Sequence, residues 1–111
     1  MATKSNKLIP VRAIHPGEIL REELRERGIK QKEFAQSMDM SLSYINRFIN
    51  GKRNLTEGLA IKLENILGIP RISWVNLQKD YAYDIKAIKM RAMKEHSHAR
   101  FSQSPILYMG A

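Results

Sequence analysis

The sequence predicts an all-α fold of five short helices, with a basic N-terminal arm before them and a C-terminal tail after. Three observations carry that expectation. Apolar residues recur every three or four positions in five separate segments, the period of a helix with one buried face. Residues that stop helices, namely Gly28, Asn50-Gly51, Gly68 and Pro70, fall between those segments. No stretch of the first 93 residues alternates apolar and polar side chains as a half-buried strand does.

Residues 1–14 are polar, basic and weakly periodic, and Pro10 discourages a helix, so they are read as an arm. His15-Pro16-Gly17 punctuates the chain, and Pro16 suits a first helical turn, where its missing N–H costs little. The first helix is expected over 18–27, with Ile19, Leu20 and Leu24 as its apolar stripe and Gly28 as its C-cap. The second covers 31–38 and buries Phe34, Ala35 and Met38. Asp39-Met40-Ser41 then turns the chain, and Ser41 caps a third helix over 42–49 with Ile45, Phe48 and Ile49 inward. Thr56 caps the fourth, where Leu59, Ala60, Leu63, Ile66 and Leu67 are expected inside, and Gly68 closes it. Ser73 is expected to cap the fifth, whose Trp74, Leu77, Tyr81, Ile85 and Ile88 share a face until the pattern fades near Met93. The helical domain is thus placed at 15–93. Residues 94–111 read as a tail, disordered in preference to docking on a partner through the apolar run 105–109.

A chain of 111 residues has room for one compact domain with an arm and a tail. It has no cysteine, which excludes a disulfide framework, thiolate zinc sites and Cys nucleophiles together. Nineteen Lys and Arg against eleven Asp and Glu leave a net charge of +8, which favours an anionic partner. No apolar run approaches the roughly 20 residues of a spanning helix, and 1–10 does not read as a signal peptide. The expectation is a cytoplasmic protein with no membrane partner. There is no P-loop, dinucleotide fingerprint or nucleophile elbow, and Glu22, Glu23 and Glu26 read as solvated, so no enzyme is expected. His15, His96 and His98 make a poor metal site, and neither a metal nor a cofactor is expected. Lys86, Lys89, Arg91, Lys94 and Arg100 read as a solvated basic face, with flanking DNA or an acidic partner as the alternative.

The spacing from Gln31 to Phe48 fits two helices crossing steeply about a three-residue turn. Ala35 must be small where the second helix crosses, and Phe34, Met38, Met40, Ile45 and Phe48 fill the angle. Asp39 should approach left-handed backbone geometry, which Asp tolerates better than most residues. With Ile45, Phe48 and Ile49 inward, the third helix presents Ser43, Tyr44, Asn46, Arg47 and Asn50. Asn and Arg can make paired hydrogen bonds to adenine and guanine edges in the major groove, and Leu42 can touch a thymine methyl. Lys52 and Arg53 can neutralise phosphate in the next loop, and Gln31 can hold one at the start of the second helix. No acidic residue lies between Met40 and Thr56. The pattern points to double-stranded DNA as the partner. Trp74, Leu77 and Tyr81, at i, i+3 and i+7, read as core or as the interface of a homodimer.

Several pieces in this order resemble the lambda-repressor-like helix-turn-helix proteins of the Xre type and, more narrowly, the HigA family of antitoxins. They are the run from His15 to Leu20, Gln31-Lys32-Glu33-Phe34-Ala35, Ser43-Tyr44-Ile45, Asn50-Gly51-Lys52-Arg53 and Trp74-Val75-Asn76-Leu77-Gln78 with Tyr81. The likeness spans about residues 15–83. It implies a five-helix domain that dimerises on a palindromic operator, neutralises a small RelE-like ribonuclease toxin and represses its own operon. By position it implies that Gln31 and Lys52 contact phosphate and that Ser43, Asn46 and Arg47 face bases. Asp39 departs from the usual glycine of the turn, and no family pattern covers the chain beyond Asp84. A stand-alone regulator without a toxin is the alternative, and an interaction module that has lost DNA binding is a third reading. That the chain is itself the ribonuclease is rejected, because such toxins carry an antiparallel sheet.

Overall fold

Each of the first four helices begins where the chain is extended and stops where a residue or two can leave helical geometry. The computed structural model describes the backbone of residues 11–103 and the side chains of 11–94. Its helices are α1 (Pro16–Arg27), α2 (Gln31–Ser37), α3 (Leu42–Ile49), α4 (Glu57–Leu67) and α5 (Arg71–Gln103). There is no strand among the described residues. Residues 14–81 form one compact unit, and α5 continues from residue 82 into a second.

The caps expected at Ser41, Thr56, Gly28 and Gly68 are present. The Ser41 side chain accepts from the Tyr44 N–H at 3.1 Å and the Thr56 side chain from the Leu59 N–H at 3.1 Å, each taking up an otherwise unpaired donor. Gly28 and Gly68 close α1 and α4 in left-handed geometry. Two carbonyls at helix ends gain side-chain donors from elsewhere in the fold: Leu67 from Arg27, and Met38 from Lys62.

The core of the first unit draws on all five helices. Leu20 and Leu24, Phe34 and Ala35 with Met38, Ile45 with Phe48 and Ile49, and Leu59, Ala60, Leu63 and Leu67 are buried together with Trp74. Ile66, expected inside, is 42% exposed. Leu59, Leu63 and Leu67, four residues apart, already occupy the inward line of α4 and leave Ile66 at its edge. The last helix starts at Arg71 directly after Pro70, whose carbonyl accepts from the Ser73 N–H at 2.9 Å, so Ser73 lies inside the helix and does not cap it. It also runs on past Met93 to Gln103. Within the second unit Ile85 and Ile88 are half-buried, and Tyr83, Met90 and Met93 are exposed. The expectations for residues 1–10 and 104–111, and for the side chains of Arg100, His96 and His98, lie outside the described residues.

Candidate nucleic-acid interface

The turn between α2 and α3 takes the form its residues require. Asp39 has φ 57°, the only non-glycine residue at positive φ among those described. The Met40 N–H reaches back to the Ala35 carbonyl at 3.0 Å, which turns the chain sharply into α3. Ile45, Phe48 and Ile49 pin one side of α3 in the core, so its other side must face out.

On that outer side Leu42 is 44% exposed, and Ser43, Asn46, Arg47 and Asn50 are exposed. Within the described residues, the side chains of Ser43, Arg47 and Lys52 make no hydrogen bond or ion pair, so their polar atoms are open to a ligand. Gly51, at φ 76°, swings the chain out of α3, and the Lys52 N–H bonds the Arg47 carbonyl at 2.8 Å. Lys52 and Arg53 are thereby held beside the helix they follow. The Arg53 guanidinium lies over the Tyr44 ring, 4.3 Å from its centroid. Tyr44, expected on the open face, is half-buried, and its ring is a platform for Arg53. The in-plane N–H groups of that guanidinium remain free to donate.

A row of side-chain hydrogen bonds crosses the same face. Arg21, on α1, donates to Asn50 Oδ1 at 2.7 Å; Asn50 Nδ2 donates to Asn46 Oδ1 at 3.1 Å; Asn46 Nδ2 donates to Gln31 Oε1 at 3.3 Å. Gln31, Asn46 and Asn50, which the sequence offered as separate candidates, are thus brought together, and Arg21 joins them unforeseen. No local pattern could have flagged Arg21, which reads as one charge among many on an exposed helix surface.

His15 and Gly17 set the height of α3 against α1. His15 Nδ1 accepts from the Gly17 N–H at 2.8 Å, and its ring stands edge-on to Phe48 at 5.3 Å and to Tyr81 at 4.9 Å. It is 3% exposed, and burial pushes its pKa below the ordinary imidazole value, with the Arg53 backbone and Glu18 pulling weakly the other way. That backbone group lies outside hydrogen-bonding geometry, and Nε2 has no partner. A Cβ on Gly17 would meet the Phe48 carbonyl oxygen at 2.0 Å and Ile49 Cα at 2.8 Å. Small size is therefore demanded at Gly17 as well as at Ala35. The His15-Pro16-Gly17 triplet was the available signal.

Trp74 was expected at core or dimer interface, and it is core. It is 0% exposed within its own chain, so no part of its ring is left for a partner. Leu77 and Tyr81 are half-buried, and Tyr81 leans on His15. The stretch from Met40 to Thr56, which holds α3 and the loop after it, has no acidic residue, and the described residues include no cluster suited to a metal ion. No helix among them is long and apolar enough to cross a membrane.

Comparison with known proteins agrees with this geometry. The helix-turn-helix family model matches residues 20–73. Virulence-associated protein I of Dichelobacter nodosus is 41% identical over 75 residues, covering 67% of this chain and 68% of its own. The Pseudomonas aeruginosa antitoxin HigA, solved with the higBA promoter, is similar at TM-score 0.68 and 31% identity, over 77% of this chain and 94% of that one. An addiction-module antidote protein of the HigA family from Coxiella burnetii is similar at TM-score 0.64 and 28% identity, over 85% and 96%.

Proposed function

This chain belongs to the helix-turn-helix family of DNA-binding regulators of the Xre-like kind, and on that footing we propose that it is the antitoxin of a toxin–antitoxin pair. In this reading it binds a palindromic operator as a homodimer in the cytoplasm, represses its own operon and neutralises a small RelE-like ribonuclease toxin. The function is regulatory and not enzymatic. The observation that carries the DNA reading is the outer face of α3: Ser43, Asn46, Arg47 and Asn50 stand exposed on a helix whose opposite side is buried, with Lys52 and Arg53 held beside it. The likeness to antitoxins, one of them solved on promoter DNA, favours the toxin-linked reading over a stand-alone regulator.

Ser43, Asn46 and Arg47 read base edges, with Leu42 against a thymine methyl, while Gln31, Lys52 and the Tyr44-stacked Arg53 engage the phosphates. A dimer sets two copies of α3 in successive major grooves about 34–36 Å apart. With Trp74 enclosed, the dimer contact falls to other apolar surface. One candidate is the groove of about 420 Å3 where Leu55, Ile72 and Val75 meet a rim of Thr56, Glu57, Arg71, Gln78 and Lys79, and Ile72 is 57% exposed there.

Binding measurements on a selected operator and on random DNA test this. Arg47→Ala is expected to lose about 1–3 kcal/mol on the operator and to relax preference at one base pair. Lys52→Ala is expected to weaken both DNAs alike and to reduce the salt slope by about one. Equal losses from Arg47→Ala on both DNAs would remove its base-reading role. Affinity for a single half-site equal to that for the full palindrome would argue against the dimer.

A further inference from the structure

The hydrogen-bonded row from Arg21 to Gln31 has a direction, and one residue sets it. A side-chain amide has one end that accepts and one that donates, and nothing in its shape prefers either way round. A guanidinium has donors only. The Arg21 end of the row therefore admits only the oxygen of Asn50, at 2.7 Å. That turns the Asn50 nitrogen toward Asn46, which must answer with its oxygen, and so turns the Asn46 nitrogen toward the Gln31 oxygen. At the far end the Gln31 nitrogen is left over as a donor.

We infer that Arg21 is a positioning residue for base recognition: by polarising the amide row from outside α3, it decides which edge Asn46 and Asn50 offer to DNA. The inference rests on the DNA-reading function proposed above. Adenine presents an N7 acceptor and an N6 donor side by side, and an asparagine matches that pair in one orientation only. Each amide in the row uses one hydrogen and one oxygen lone pair at most, which leaves Asn46 a free hydrogen and a free lone pair for a base. Arg21 thus contributes to specificity without itself reading a base. A phosphate anchor at the same place would act differently, weakening every sequence alike.

The test uses the full chain and a duplex that the wild type enriches from a randomised pool. Affinity for that duplex and for each of its single-base-pair variants is measured for wild type, Asn46→Ala, Arg21→Met and Arg21→Lys, together with melting temperature and salt slope. Arg21→Met is expected to cut discrimination about tenfold at the base pair that Asn46→Ala also flattens, within what one bidentate contact supplies. Its melting temperature and salt slope stay those of the wild type. Arg21→Lys, which also donates only, is expected to restore most of the discrimination. An unchanged base profile in Arg21→Met overturns the inference. So does a uniform loss with the slope reduced by about one, which makes Arg21 a phosphate anchor, and so does Arg21→Lys behaving as Arg21→Met. A wild-type chain that enriches no sequence sinks the DNA-reading function itself, a result distinct from all three.

Discussion

His15 does three things with one ring: it caps α1 through Nδ1, packs on Phe48 of α3, and meets Tyr81 from α5. All three favour the neutral form, because a protonated Nδ1 cannot accept the Gly17 N–H and a charged ring is poorly solvated there. Its pKa lies below 6.5 in the folded chain and near 6.5 in the unfolded one, so the unfolded chain binds more protons between the two values. The contribution of His15 to stability is therefore complete above about pH 6.5 and is lost as pH falls through the folded value. Urea midpoints taken from pH 7.5 downward should fall more steeply for the wild type than for His15→Asn, which keeps a capping oxygen but does not titrate. Parallel curves for the two chains would show that the ring is indifferent to its burial.

The helix-turn-helix depends on how its helices pack, and at Gly17 of α1 the Phe48–Ile49 backbone of α3 leaves no room for a side chain. The neighbour there is main chain, which cannot rotate away as a side chain can. Gly17→Ala must part α1 from α3, and we expect it to cost about 3 kcal/mol, the upper part of the usual range for overpacking. Because α3 is the element displaced, operator affinity should fall with stability, although Gly17 faces no DNA. A Gly17→Ala chain that melts with the wild type would mean that the helices separate without cost. The turn was legible in the sequence because its requirements are local: Ala35, Asp39 and the Ser41 cap act within one or two turns of helix.

At the scale of the molecule, a net charge of +8 draws the chain to any polyanion without choosing a sequence, and in the proposed function that choice falls to the face of α3. The proposed toxin partner makes a separate demand. Co-expression with the product of the neighbouring gene should restore growth that this product alone arrests, and the two should co-purify. Operator binding without rescue or co-purification would leave a DNA-binding regulator and remove the antitoxin reading.

Local rules in the chain were enough for the all-α class, the caps at Ser41, Thr56, Gly28 and Gly68, the left-handed Asp39 and the sides of α2 and α3 that face inward. Each follows from contacts three or four residues apart, or from one residue's own backbone preference. Tertiary structure decided what a helical period leaves open, namely what lies opposite each face. Trp74 has the spacing of an interface residue and proves to be enclosed, because α5 is laid against the core of the first unit. Tyr44 turns from reader to platform once Gly51 brings Arg53 beside it. The exposed side of α3, with Ser43, Asn46, Arg47 and Asn50, could be written down from the period of that helix. That Arg21 stands at the head of its amides could not, since a hydrogen bond between α1 and the end of α3 exists only after the chain has folded.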